Sequence, residues 1–348
     1  MSAVKRFVTL DDVASAAGVS RATVSRVINE TKFVEPQVAD RVRVAIKQLG
    51  YVPNHAARAL STRRTDMVAL VATEPQARFF HDPFFADIVQ GVSKELGDVD
   101  MRMLMALIQT PEELGRFQNY LLGRPVDGVL VISEHTALQI APSMATAGIP
   151  IVLGGRPMDG AWSDIAHVDH DNRRGARLAA EHLIHRGSRK IATIAGPPDM
   201  SAGIDRLHGF RDAFPGPVAP ELVATGDFSA AGGASAMEKL LDQAPDLDAV
   251  FAASDLMALG AMQTLRRLGK RVPDDVAVVG FDDIELGATA ETPLTTIRQE
   301  TVTQGRMMVR LLLRLLGRTP DLGTAGRATL PPGPSMMLPV TLVTRASA

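Results

Sequence analysis

The sequence predicts a small all-α helix-turn-helix head with a hinge helix. An α/β domain of two parallel-sheet lobes follows. Three observations carry this. The first 64 residues hold 11 Lys and Arg against 5 Asp and Glu, while the remainder holds 26 against 34. Within that basic head, apolar residues recur at helical spacing on either side of one Gly-containing turn. From Met67 onward, short apolar runs alternate with amphipathic stretches, which is how parallel strands covered by helices read.

The head is justified first. Thr9 is placed to cap a helix whose first turn carries Asp11 and Asp12, both suited to the helix dipole. Leu10, Val13, Ala14 and Ala17 share one face of it. Gly18 suits a left-handed turn, Val19 can plug the corner, and Ser20 is the next cap. Val24, Val27 and Ile28 form the apolar side of the second helix. Arg21, Ala22, Ser25 and Arg26 remain on its free side. In a helix-turn-helix this second helix enters the major groove with its N-terminal residues toward the bases. Arg21 can donate twice to a guanine and Ala22 can touch a thymine methyl. Thr23, Ser25 and Arg26 suit phosphates or mixed contacts. A third helix begins near Pro36, with Val38, Val42, Ala45, Ile46 and Leu49 facing inward. Asn54 to Leu60 can form a short helix that orders only against a second copy or DNA. Leu60, between Arg58 and a polar run, is shaped to wedge into a minor groove.

The body follows. Strands are predicted at 67–72, 102–108, 127–132 and 149–154, then at 190–195, 249–254 and 276–281. Helices are predicted near 84–96, 111–122, 137–147, 173–185, 205–214, 230–241 and 256–268. Sites in such sheets gather at the carboxyl ends of the strands. Asp282 and Asp283 directly follow a buried strand, and Arg206 lies beyond the first strand of the second lobe. Paired acids and an arginine suit sugar hydroxyls, a purine or a carboxylate, and equally a structural ion-pair network. Phe84, Phe85 and Phe228 stand near strand-to-helix junctions, where a ring can cover a ligand or pack in the core.

Other chemistries have less support. The chain has no cysteine, so disulfides and thiolate chemistry are excluded. No nucleophile-elbow, P-loop or zinc-protease motif occurs. HVDHD, His167 to Asp171, offers three possible metal ligands, but its spacing is generic and suits a domain junction better. No cofactor, metal or catalytic residue is expected. Met1 to Leu10 lacks the apolar stretch of an export signal and no run suits a membrane span, so a cytoplasmic protein is expected.

The head motif TLDDVASAAGVSRATVSRVIN, Thr9 to Asn29, and VADRVRVAIKQLGYVPNHAARAL, Val38 to Leu60, resemble the LacI/GalR family of bacterial transcription regulators. DGVLV, HDNRRGARLAAEHLI, FAASDLMALGAM, VPDDVAVVGFDDIELG and PLTTIRQ extend the likeness through the body. The resemblance implies a homodimer on double-stranded operator DNA, usually a repressor, controlled by a small effector in the cleft. It implies Arg21 and Ala22 as base readers with Arg26 beside them, and Leu60 as the hinge wedge supported by Asn54, Ala57 and Arg58. Arg206 and Asp282 match effector-holding positions, and Phe228 matches a stacking aromatic. Where many members have Asn before the Asp of DLMALG, this chain has Ser254 before Asp255, with a shorter reach toward an effector. The run TEPQARFFHDPFF, Thr73 to Phe85, is longer than the family's usual link and brings Arg78, Phe79, Phe80 and His81 to the border of the cleft.

The expected domains are a head at 1–52, a hinge and linker at 53–65, and a body at 66–348. Its first lobe is placed at 66–165 plus 296–329 and its second at 166–295 plus 330–345, and the body's resemblance to the periplasmic sugar-binding proteins implies three chain crossings. The helix over Met257 to Leu268 offers an apolar surface for dimer contacts. The expected effector is a neutral mono- or disaccharide held by Asp282 and Arg206. A solute-binding receptor explains the body but not the basic head, and a carbohydrate-active enzyme has no supporting residue set.

Overall fold

A computed structural model describes residues 8–29, 33–52, 64–158, 164–318 and 333–348. The hinge residues Asn54, Ala57, Arg58 and Leu60 lie outside the described residues. The chain divides into two compact units, residues 1–65 and 66–348.

In the first unit, α1 (Leu10–Ala17), α2 (Arg21–Asn29) and α3 (Pro36–Leu49) follow one another. The Asp12 N–H donates to Thr9 Oγ1 (3.3 Å) and the Asp12 carboxylate accepts from the Thr9 N–H (2.8 Å), a reciprocal capping box. Gly18 ends α1 with φ +64°, a conformation that disfavours any side chain. The Thr23 N–H donates to Ser20 Oγ (3.2 Å), so Ser20 caps α2. Val13, Ala14, Ala17, Val24, Val42, Ala45 and Tyr51 close the core of the three helices.

The second unit holds two six-stranded sheets. The first has the order β11 (Ser335–Leu338), β5 (His167–His170), β4 (Ile151–Gly154), β3 (Gly128–Ile132), β1 (Met67–Ala72), β2 (Arg102–Leu107). The second has the order β12 (Val340–Val343), β10 (Thr295–Gln299), β9 (Ala277–Asp282), β8 (Ala249–Ala252), β6 (Ile191–Ala195), β7 (Val223–Thr225). Neighbours run parallel except β12, which is antiparallel to β10. The first lobe is covered by α4 (Gln76–His81), α5 (Pro83–Gly97), α6 (Pro111–Leu122), α7 (Ala141–Thr146) and, after a return, α13 (Thr301–Leu315). A Cβ at Gly91 of α5 would stand 2.1 Å from the Val302 carbonyl oxygen of α13, so these helices touch through backbone. The second lobe is covered by α8 (Asn172–His185), α9 (Ser201–Asp212), α10 (Ala230–Gln243) and α11 (Asp255–Arg267), with the single turn α12 (Glu285–Ala288) after β9.

The chain passes between lobes three times, but each passage comes later than the sequence placed it. His167–His170 pairs in the first sheet, Thr295–Gln299 in the second, and Ser335–Leu338 in the first again. A short strand at a junction can pair with either sheet, and its composition does not say which. The lengthened run 73–85 contains the helix α4. The apolar side of α11 is also placed differently: Met257, Ala258, Ala261 and Leu265 are buried in the second lobe's own core, leaving Leu268, just past its end, as an exposed apolar residue.

Candidate functional site

In the head, Arg21, Ala22 and Arg26 are exposed along α2, while Val24 of the same helix is buried. Arg21 Nη1 lies 3.6 Å from Asp11 Oδ2, a solvent-exposed pair that a stronger partner can replace. Ser20 Oγ and Thr23 Oγ1 are 2.9 Å apart, so these hydroxyls sit together at the start of the helix. Asn29 ends α2. The free face of α2 thus gathers donors and one small apolar residue where a helix can meet base edges and phosphates.

In the body, the carboxyl ends of β1, β3, β4 and β5 face those of β6, β7, β8 and β9 across a cavity with about 670 Å³ of free space, part of it continuous with solvent. Arg206, Phe228, Ser254, Asp282 and Phe84 all line it. Phe85 does not: it is fully buried in the first lobe's core, edge-on to Phe84 at 5.2 Å. Asp255 does not line it either. Its carboxylate accepts from Thr296 Oγ1 (2.5 Å) and from the Ile284 N–H (2.9 Å), and burial raises its pKa well above the ordinary carboxylate range. It acts on the site by holding the Asp282–Ile284 loop. Successive apolar and acidic residues in a strand-to-helix turn do not reveal which acid turns inward, which is why sequence alone grouped Asp255 with the lining.

Arg206 is buried on α9 and held from several sides. Its Nε donates to Asn172 Oδ1 (2.8 Å) and its Nη1 to the Ala253 carbonyl (2.7 Å). Nη1 lies 3.4 Å from Asp282 Oδ1 and Nη2 lies 3.5 Å from Gln299 Oε1. The guanidinium carbon is 3.7 Å from the centre of the Phe281 ring. Burial pushes its pKa down, and the neighbouring carboxylates work against that. Asp282 accepts from Gln299 Nε2 (2.7 Å). Burial pushes its pKa up to about 7 against the pull of Arg206. Asp282 and Asp283 both have left-handed backbone, φ +125° and +64°. That strain is held in place by Asp255 on one side and by Asp283 on the other, paired to Arg298 (2.5 Å) and Arg345 (2.6 Å). Ser254 Oγ accepts from the Met257 N–H (3.2 Å), so the hydroxyl at this wall also caps α11.

Several lining residues were missed from sequence. His170 and Gln304 are buried in the wall, and His170 Nε2 and Gln304 Oε1 have no hydrogen-bond partner among the described residues. Burial depresses the His170 pKa to about 3, so the ring is neutral; its other nitrogen faces the Glu300 carbonyl, leaving Nε2 as an acceptor. Asp82, Glu134 and Asp169 add carboxyl groups whose pKa values burial raises. Asp169 and His170 are the centre of the HVDHD run, so a run that looked like a junction also supplies cavity wall. Among the described residues, two ion pairs join the lobes: Arg156 binds Asp205 through two bonds (2.6 and 2.7 Å), and His135 binds Asp199 (2.7 Å).

Residues 9–54 match the family of bacterial regulatory proteins, lacI family, and residues 180–348 match a periplasmic binding protein-like domain. The chain is 49% identical over 321 residues to the HTH-type transcriptional regulator CelR of Thermobifida fusca, covering 91% of this chain and 94% of that protein. It belongs to the lacI family. The chain is therefore a DNA-binding transcriptional regulator rather than an enzyme or a receptor. Solved structures of family members agree over its length. A transcriptional regulator CelR–cellobiose complex superposes with a TM-score of 0.75 at 44% identity, covering 98% of this chain and all of that one. A lac repressor dimer bound to operator and the anti-inducer ONPF gives 0.81 at 29% identity, covering 98% and 99%. No helix among the described residues of this lacI-family regulator is long and apolar enough to cross a membrane.

Proposed function

We propose that this regulator is a repressor that binds a palindromic operator as a homodimer and is controlled by a neutral carbohydrate in the cleft. The observation that carries the effector class is the surplus of acceptors in the cavity wall. His170 Nε2 and Gln304 Oε1 have no donor among the described residues, and four carboxyl groups, of Asp82, Glu134, Asp169 and Asp282, share the same wall. Of the two arginines in this wall, Arg206 is already engaged by Asn172, Ala253, Asp282 and Gln299, and Arg78 by Glu74. A buried polar group without a partner costs roughly 1–3 kcal/mol, so the wall favours an occupant that brings donors. Sugar hydroxyls supply donors without charge. A phosphate or carboxylate would add negative charge to an acidic pocket. Phe84 and Phe228 also line this wall and add apolar ring carbons that suit the C–H groups of a pyranose.

The relatives support the same reading: one solved relative is described with cellobiose, and another as a dimer on operator. Arg21, Ala22 and Arg26 are assigned to the operator, with Thr9, Ser20, Thr23, Ser25 and Asn29 supporting them, and the hinge residues Asn54, Ala57, Arg58 and Leu60 to its centre. The test is calorimetric titration of the full chain with neutral sugars, small organic acids and nucleobases, followed by anisotropy on a selected operator. Binding of a sugar that changes operator affinity supports the reading. Binding confined to an acid or a nucleobase would falsify it.

A further inference from the structure

Two acids, Asp11 and Asp12, share the first turn of α1. Asp12 is committed to the cap: its Oδ2 accepts from both the N–H (2.8 Å) and the hydroxyl (2.7 Å) of Thr9. Asp11 stands outside that box. Its Oδ2 lies 3.6 Å from Nη1 of Arg21, the first residue of α2, and the two side chains are 67% and 68% exposed. The pair is therefore open to any partner that approaches α2.

A carboxylate at this place works against DNA affinity. Arg21 is the residue assigned above to a base edge. An acid 3.6 Å from a group that touches a base is within reach of the phosphates that flank it, and like charges repel. The first 64 residues otherwise carry 11 Lys and Arg against 5 Asp and Glu, the balance that draws a head to a phosphate backbone. Asp11 opposes that attraction at the very residue that meets the bases.

What it supplies is discrimination. A guanidinium carries five N–H donors in a planar fork. With Nη1 toward Asp11, Arg21 keeps a second edge for O6 and N7 of a guanine, which are neutral acceptors. A phosphate oxygen is an anion, and seating it on the same guanidinium sets two negative charges side by side. The carboxylate thus tolerates the base contact and resists the backbone contact. We propose that Asp11 is a positioning residue that holds Arg21 off the phosphates, so that Arg21 adds affinity on a matching base pair and little on other DNA. This rests on the assignment of Arg21 to a base edge and extends it from which residue reads to what keeps the reading selective. Because the pair is solvent-exposed it is weak in the free protein, and a guanine can draw on Arg21 without breaking a strong bond.

The experiment is anisotropy of the full chain on an operator selected from random duplexes and on an unrelated duplex of equal length, at several salt concentrations. The proteins are the parent chain, Asp11→Asn, Asp11→Glu, Arg21→Ala and the double variant Asp11→Asn with Arg21→Ala. Asp11 is exposed and the Thr9–Asp12 box stays intact, so no core or cap contact is lost. Asp11→Asn should raise affinity for the unrelated duplex by about threefold and for the operator by less than about twofold, narrowing the ratio between them. Its salt slope on the unrelated duplex should steepen by up to about 0.9, the value of one added phosphate contact. Asp11→Glu, which keeps the charge, should stay close to the parent on both duplexes. With Arg21→Ala already present, Asp11→Asn should add less than about half of its effect. The inference is overturned if Asp11→Asn leaves the unrelated duplex and its salt slope unchanged. It is also overturned if the gain is equal with and without Arg21, because Asp11 would then be a plain repulsive charge. If Arg21→Ala alone weakens both duplexes alike, the base-reading assignment itself fails and takes this inference with it.

Discussion

The imidazole of His135, on the first lobe, lies with Nδ1 2.7 Å from Asp199 Oδ2 on the second. Its Nε2 is 3.2 Å from Glu74 Oε1, and Glu74 also accepts from Arg78 and Ser133. A neutral imidazole carries a single N–H, so both contacts are hydrogen bonds only when the ring is protonated. The interaction with Glu74, and then with Asp199, raises the His135 pKa above its ordinary value against the opposing effect of burial.

This makes the contact between lobes pH-dependent. A raised folded-state pKa gives stability that is complete below the unfolded value of about 6.5 and is lost as pH rises through the folded value. Thermal unfolding of the full chain should therefore fall by roughly 2–4 °C relative to His135→Asn between pH 6 and pH 8.5, equivalent to about 1 kcal/mol. A constant gap between the two proteins over that range would mean that the ring is not protonated between the carboxylates.

Arg21→Ala is expected to weaken binding to the selected operator by roughly 1–3 kcal/mol and binding to random duplex by much less. The exposed pair with Asp11 contributes little to the free protein, so the variant should fold normally. Anisotropy on both duplexes at several salt concentrations checks this. A phosphate role would instead lower both affinities alike and flatten the salt dependence.

Asp282→Ala should lower effector affinity by at least about tenfold, because hydrogen bonds to charged groups contribute roughly 1.5–3 kcal/mol. Operator affinity measured without effector should change by less than about threefold, since the head and the body are separate compact units. Parallel titrations with effector and with operator separate the two effects.

Asp255→Ala leaves the Ile284 N–H and the Thr296 hydroxyl without their buried partner. The expected loss is about 2–3 kcal/mol in urea unfolding, together with weaker effector binding, because the strained Asp282–Asp283 backbone loses its anchor. Asp255→Asn keeps an acceptor for Ile284 or Thr296 and should recover part of both.

The secondary structure was legible in the sequence because each element announces itself locally. Thr9 and Ser20 cap where hydroxyls precede apolar helical spacing, Gly18 turns where a side chain would be strained, and the buried strands read as unbroken apolar runs. That Arg206 and Asp282 face the inter-lobe cavity was legible too, because residues at the carboxyl ends of parallel strands in a two-lobed α/β fold border the cleft. What the sequence by itself determined is thus the head, the two-lobed body and the family to which the motifs belong.

Tertiary structure alone decided which side chains share the cavity. Phe84 and Phe85 are adjacent and identical in kind, yet successive residues on a helix point about 100° apart, so one lines the cleft and the other fills the core. Ser254 and Asp255 divide in the same way, the first on the wall and the second behind it. Arg78, His135, His170 and Gln304 come from α4, the turn after β3, the end of β5 and α13. No spacing along the chain relates these four positions. Only the closure of two sheets over one cleft sets them around the same space, because hydrogen bonding depends on separations of about 3 Å that sequence distance does not encode.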